Sequence, residues 1–264
     1  MKIIPVLDLM GGVVVRGVQG HRATYQPVES VLTESCDALA VARALWQETA
    51  CEALYIADLD AIEGRGTHWA TVQELSAQIP VHLWIDAGIT DTDQIPRWLD
   101  AGVDRMVVGS ETMDSLHNLN AIRAAAPTDR LVFSLDMQRG MILSRSQELR
   151  ALTPISLLEW LAARGWTHVI LLALDRVGTG DGPDWSLLDK ARRGVPDLAL
   201  IVGGGVRGLE DLHRLAELGA HGVLVASALH DGWLTTGELH LLTTEPEDRE
   251  RSPDPDPRSR TQRG

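Results

Sequence analysis

Cysteine is scarce in this chain: Cys36 and Cys51 are the only two among 264 residues, and neither belongs to a CxxC pair. That excludes a disulfide framework or a thiolate metal site as the organising device, and the two read as reduced thiols. Basic residues are in deficit, with 24 Lys and Arg against 37 Asp and Glu, a net charge of −13. Phosphate backbones must be neutralised by cations, so a general nucleic-acid or anionic-membrane binder is excluded. A small phosphorylated molecule held by backbone amides is not. No apolar run is long enough to cross a bilayer, and the N-terminus enters a strand with no signal-like segment, so a cytoplasmic protein is expected. The nine histidines are scattered without ligand spacing, which predicts no metal. A P-loop, a GxGxxG turn and a nucleophile elbow are all missing, so no cofactor is expected either. Phe133 is the sole Phe, a bias from which no function follows.

What the chain does have is an internal repeat. Residues 84–110 align without a gap on 201–227: Gly88 meets Gly205, Gly102 meets Gly219, Val108 meets Val225 and Ser110 meets Ser227. Earlier in each half, Leu7-Asp8-Leu9 recurs as Leu135-Asp136-Met137, and Gly12 meets Gly140. The unit is far longer than a solenoid repeat, so a duplicated half-barrel is indicated. Short, almost wholly apolar runs begin at Ile3, Ala53, Val81, Arg105, Leu131, His168, Leu198 and Gly222, as in a parallel sheet covered on its outer face. Amphipathic segments alternate with them, such as Leu39, Ala42, Leu45 and Trp46 on one helical face. The pattern predicts an α/β fold, a (β/α)8 TIM barrel over residues 1–242, built from half-barrels of about 1–126 and 127–242. Val13–Val18 and Met141–Leu143 read as short extra strands in the loops after strands one and five. Residues 243–264, with mixed charge and four prolines, predict a disordered tail.

Asp8 and Asp136 end apolar runs at opposed barrel positions, on the rim where such barrels build their active sites. Two carboxylates across a cleft can divide acid and base roles. A single such Asp would as readily accept amides from its own loop. Gly203-Gly204-Gly205 after strand seven and Ala226-Ser227 after strand eight predict a phosphate site of backbone amides, because small residues let the backbone approach an anion. In the first half the matching set is Asp86-Ala87-Gly88 with Gly109-Ser110, and Asp86 stands where the second half has Gly203. Close like charges are costly in a partly dry site, so an anion is expected at the second-half loops and none at the first. Softer candidates are Arg16, Arg139 and Arg145 as anion clamps, Asp58, Asp60 and Asp175 after strands two and six, and Thr179 in a loop over the mouth. Each could equally be a loop charge or a structural partner.

The combination of PVLDLMGGVVVRG, FSLDMQRG, LDRVGTGDG and VGGGVRGLEDL resembles the histidine-biosynthesis barrel family, over about residues 1–235. That family contains ProFAR isomerase and the cyclase subunit of imidazole glycerol phosphate synthase. The resemblance implies that Asp8 and Asp136 are the catalytic carboxylates, with Asp136 protonating the sugar ring oxygen and Asp8 removing a proton from the neighbouring carbon. It also implies that Gly204, Gly205, Ala226 and Ser227 hold a phosphate, while Gly88, Gly109 and Ser110 are the remains of a second such site. The expected class is an intramolecular oxidoreductase of the aldose–ketose, Amadori type, acting on a small phosphorylated sugar without a glutaminase partner.

Departures from the family pattern fall on substrate recognition. Its first-half loop GGGIR reads Asp86-Ala87-Gly88-Ile89-Thr90 here. The isomerase's covering Gly-Trp pair falls near Ser146-Gln147, its strand-six Thr at about Leu172, and the Asp of its DGT motif at Val177. The chain is also similar to a divergent branch found alongside tetrahydromethanopterin and one-carbon genes. Three readings stand at this point: an isomerase of a singly phosphorylated sugar, ProFAR isomerase itself, and a barrel that binds a phosphometabolite or partner without catalysis.

Overall fold

In the computed structural model, which describes residues 1–243, all eight expected strands form one closed parallel barrel. They are β1 (Lys2–Met10), β2 (Ala53–Asp58), β3 (His82–Asp86), β4 (Arg105–Gly109), β5 (Leu131–Gln138), β6 (His168–Ala173), β7 (Ala199–Gly203) and β8 (Gly222–Val225). Each pairs with the next in sequence, and β8 closes on β1 through Lys2 opposite Gly222 and Pro5 opposite Val225. Helices follow the strands, among them Ala38–Thr49, Trp69–Gln78, Pro154–Ala162 and Leu209–Glu217. No described helix is long and apolar enough to cross a membrane. The expected tail lies outside the described residues, except that Thr243 closes a helix begun at Thr236.

The strands are apolar on both faces because both are covered. Alternate side chains fill two cores, as the period of two requires. Ile4, Tyr55, Trp84, Val107, Val132, Ile170, Ile201 and Leu224 pack inside the barrel. Leu7, Leu54, Leu83, Phe133, Leu171 and Leu200 pack outward against the helices. Helix ends follow the local chemistry. Asp37 and Ser115 accept the amides of Ala40 and Asn118 as N-caps, and Thr153 caps a helix that opens on Pro154. Gly102 and Gly219, at φ +80° and +76°, turn the chain left-handed after matched helices.

The duplication is visible in the strand register. Trp84 lies opposite Arg105 as Ile201 lies opposite Gly222, and Asp86 opposite Val107 as Gly203 opposite Leu224. The strands carrying Asp8 and Asp136 run past them into hairpins, with Leu9 opposite Val14 in one and Met137 opposite Ile142 in the other. Thus β1 and β5 are longer than the apolar runs suggest, and neither aspartate is the last strand residue. The first extra strand is shorter than expected, Val13–Arg16, and pairs with a further strand, Gln26–Pro27, that the sequence reading missed.

Candidate active site

The alternation that builds the core also aims the carboxylates. Ile4, Val6 and Asp8 lie on one face of β1, Trp84 and Asp86 on one face of β3, and Val132, Ser134 and Asp136 on one face of β5. All three aspartates therefore emerge at the top of the barrel interior and line a single cavity there. Asp136 is fixed from three sides. Its Oδ1 accepts the Ser134 hydroxyl at 2.6 Å, its Oδ2 accepts the Glu111 amide at 3.0 Å, and its own amide donates to Ser110 Oγ at 2.8 Å. Asp86 accepts the Gly88 amide on Oδ1 and the Tyr55 hydroxyl on Oδ2, both at 3.2 Å. Among the described residues Asp8 has no side-chain hydrogen-bond partner. Its Oδ2 lies only 2.8 Å from where a Cβ on Gly17 would stand, so only glycine leaves it room.

Burial raises the pKa of all three. Loss of water pushes Asp8 up to about 7, with the charge of Asp86 adding and Arg22 opposing. The same loss pushes Asp136 up to about 7, where Asp86 adds and the Ser134 hydroxyl opposes. Asp86 rises to about 6, held back first by the Gly88 amide. Two carboxyl groups near neutrality in one cavity can give and take protons at physiological pH, which carboxyls in water cannot.

Farther round the same rim, the loop after β7 is built for close backbone approach. Gly204 and Gly205 have φ +97° and +84°, and a Cβ on either would lie 2.5 Å from a carbonyl oxygen, of Ala173 and Gly182 respectively. Both line the cavity beside Ala226, Ser227 and Ala228, where β8 gives way to the helical turn Ser227–His230. Among the described residues, the Gly205 and Ala228 amides and the Ser227 hydroxyl take no protein partner. Unspent donors at a helix start and a glycine turn suit an anion.

Other expected residues sit elsewhere. Arg16 lies behind the second-half loop, where it grips Asp231 through two bonds of 2.5 and 2.6 Å. Its charge is thus already matched. Thr179 bonds its own loop, donating to the Arg176 carbonyl, while Gly178 and Gly180 face the cavity. Asp58 and Asp60, at the end of β2 and in the turn after it, latch that turn to the hairpin of β1. Asp58 takes the His68 amide and ring, and His68 Nε2 and Asp60 take the Gly12 and Gly11 amides. Arg139 contributes only its amide, to Asp175. Arg145 donates to the Ile62 carbonyl and stands outside the cavity. Among the described residues no group of three or more His, Cys, Asp or Glu is placed to hold a metal ion.

The sequence reading missed Arg22, Tyr25, Tyr55, Glu111 and Trp233, all of which line the cavity. Arg22 and Tyr25 belong to a strap, residues 17–25, that crosses the mouth and bonds the β6 loop through the Gln19 amide and Val177 carbonyl. Arg22 bonds Glu111 at 2.5 Å and lies 3.6 Å from Glu63, so it ties the strap to the loops after β4 and β2. Tyr55 alone carried a usable signal: it shares strand parity with Ala57 and so points inward.

Comparison with known proteins agrees with this geometry. Residues 2–235 match the family described as histidine biosynthesis protein. An uncharacterized protein of Methanocaldococcus jannaschii is 34% identical, over 90% of this chain and 97% of its own length. The 1-(5-phosphoribosyl)-5-((5-phosphoribosylamino)methylideneamino)imidazole-4-carboxamide isomerase (ProFAR isomerase) of Desulforudis audaxviator is 32% identical, over 94% of this chain and 93% of its own. An isomerase of the same name from Thermus thermophilus is 31% identical, over 88% of this chain and 95% of its own. With the closed eightfold barrel, the paired aspartates and this match over nearly its whole described length, the chain belongs to the histidine biosynthesis protein family.

Proposed function

We propose that this protein is an isomerase of a phosphorylated sugar, working by ring opening and proton transfer between two aspartates. The carrying observation is that Asp8 and Asp136, on opposed strands, face one cavity with burial holding both near neutrality. Asp136 in its protonated form gives its proton to the ring oxygen as the bond from that oxygen to C1 breaks, and the C1 substituent nitrogen supplies the electron pair. Asp8 in its ionised form takes the proton from C2. The resulting enaminol becomes a ketone at C2 as its hydroxyl proton passes to the now ionised Asp136 and a proton arrives at C1 from the now protonated Asp8, so no atom or electron is gained overall. Each such group typically contributes about 10² to 10⁴ in rate. The phosphate is held by the amides of Gly205 and Ala228 and the Ser227 hydroxyl, which leaves the carboxylates free for chemistry.

The test is isomerisation of a panel of 5-phosphoribosylamines with different nitrogen substituents in D2O, read as deuterium at C1 of the ketose. Asp8→Asn and Asp136→Asn should each lower turnover by at least about 100-fold with the fold retained. Wild-type turnover in both variants overturns the mechanism.

The names of the two isomerase relatives favour a second reading, ProFAR isomerase itself. Against it stand Asp86 in the first-half loop, Thr90 in place of an arginine, and Ser146-Gln147 in place of the covering pair. Complementation of a histidine auxotroph lacking that isomerase separates the two. Growth at ordinary expression favours the second reading, and no growth with folded protein present favours the first.

A further inference from the structure

Because the halves share one register, every donor in the second-half loops has a counterpart in the first. Gly205 corresponds to Gly88, Ser227 to Ser110 and Ala228 to Glu111. The counterparts are already spent. The Gly88 amide donates to Asp86 at 3.2 Å, and the Glu111 amide to Asp136 at 3.0 Å. Ser110 Oγ accepts the Asp136 amide at 2.8 Å and directs its own hydroxyl proton to Asp136 Oδ2 at 3.4 Å. The protein's own carboxylates thus take the donors that an anion would need. Arg22, the cation whose charge acts on Asp86, offers no rescue, since it is engaged by Glu111 and Glu63.

Asp86 is 6% exposed and still lines the cavity. Its two oxygens can accept about four hydrogen bonds, and the Gly88 amide and Tyr55 hydroxyl use two. What remains is acceptor capacity only. A phosphate there would meet a carboxylate with no donor to spare, whereas an amine or hydroxyl would find a partner.

Resting on the isomerase reading above, we propose that Asp86 is a specificity-determining residue that bars a second phosphate from the first half of the mouth. The substrate is then phosphorylated at one end only and carries an amine or hydroxyl donor at the other. Gly203, at the same rung of the other half, brings no carboxylate, and a Cβ there would meet Leu172 Cδ1 at 2.8 Å and Leu224 Cδ1 at 3.3 Å.

The experiment compares the whole chain with Asp86→Gly and Asp86→Asn. The Asn variant keeps the size of the side chain and guards against loss of fold in the Gly variant. Crystals of each are soaked in sulfate, and affinities for a pentitol 5-phosphate and a pentitol 1,5-bisphosphate are measured by calorimetry. Wild type should show one sulfate, at Gly205, Ser227 and Ala228. At least one variant should show a second, at the Gly88 amide that the carboxylate releases. The ratio of bisphosphate to monophosphate affinity should rise on the order of 100-fold when the carboxylate charge is removed. Sulfate at both loops of wild type, or an unchanged ratio in both variants, overturns the proposal while leaving the isomerase reading intact. Failure of wild type to take sulfate at the second-half loops and to bind the monophosphate overturns that reading, and this inference with it.

Discussion

Asp136 is anchored by the Ser134 hydroxyl at 2.6 Å from its Oδ1, a bond made within one strand by two residues on the same inward face. Asp8, across the cavity, has no such tether among the described residues. A hydrogen bond to the charged form lowers the pKa of a carboxyl, and the Ser134 hydroxyl opposes the upward push of burial on Asp136. Ser134 therefore sets how late in pH Asp136 keeps its proton.

Ser134→Ala should accordingly move the alkaline limb of the pH–rate profile upward. With the hydroxyl gone, Asp136 holds its proton to higher pH, and the acid stays competent longer. One charge-assisted bond corresponds to about one pH unit. A limb that stays in place or moves down would show that Asp136 does not act as the acid.

Stability should depend on Asp8 in a definite direction. Its folded-state pKa is raised to about 7, above its ordinary value of 3.8. Below about pH 4 both folded and unfolded chains hold the proton, and nothing is lost. Between there and about 7 the unfolded chain sheds it first, so stability falls as pH rises, and above 7 the full cost is present. Asp8→Asn should stabilise the protein at pH 8, on the order of 1–3 kcal/mol, and by less at pH 5. Thermal unfolding of both proteins at the two pH values measures the difference. Equal gains at both would contradict the burial argument.

Gly109 is wedged between two carboxylates. A Cβ there would lie 3.1 Å from Asp136 Oδ2 and 3.4 Å from Asp86 Oδ2. Gly109→Ala should displace one or both, lowering turnover by about tenfold or more for a methyl group added remote from substrate. The fold should survive, because the oxygens can move into the cavity. Wild-type turnover with an unchanged pH profile would refute this.

The Arg16–Asp231 pair is two-pronged and partly sheltered, with side chains 34% and 18% exposed. Such geometry exceeds the value of an ordinary surface pair. A double-mutant cycle of Arg16→Ala and Asp231→Ala, read by denaturant unfolding, should give a coupling of about 1–2 kcal/mol. Additive losses would mean that the pair contributes nothing to stability.

The sequence by itself determined the barrel, its eight strands and the inward aim of Asp8 and Asp136. Those features are periodic or duplicated, and a period of two fixes which side chains share a face without reference to the rest of the chain. It also determined the glycine turn after β7, because a left-handed backbone pressed against a carbonyl admits little else. Only the tertiary structure decided which of the loop residues meet. Arg16 and Arg22 look alike in sequence, six residues apart in the segment after β1. One is drawn behind the rim by Asp231, 215 residues away, and the other into the mouth by Glu111. Nor could spacing show that Glu111 spends its amide on Asp136, 25 residues away. Such bonds form between loops joined only through the closed barrel, and their partners are set by three-dimensional proximity, which carries no period along the chain.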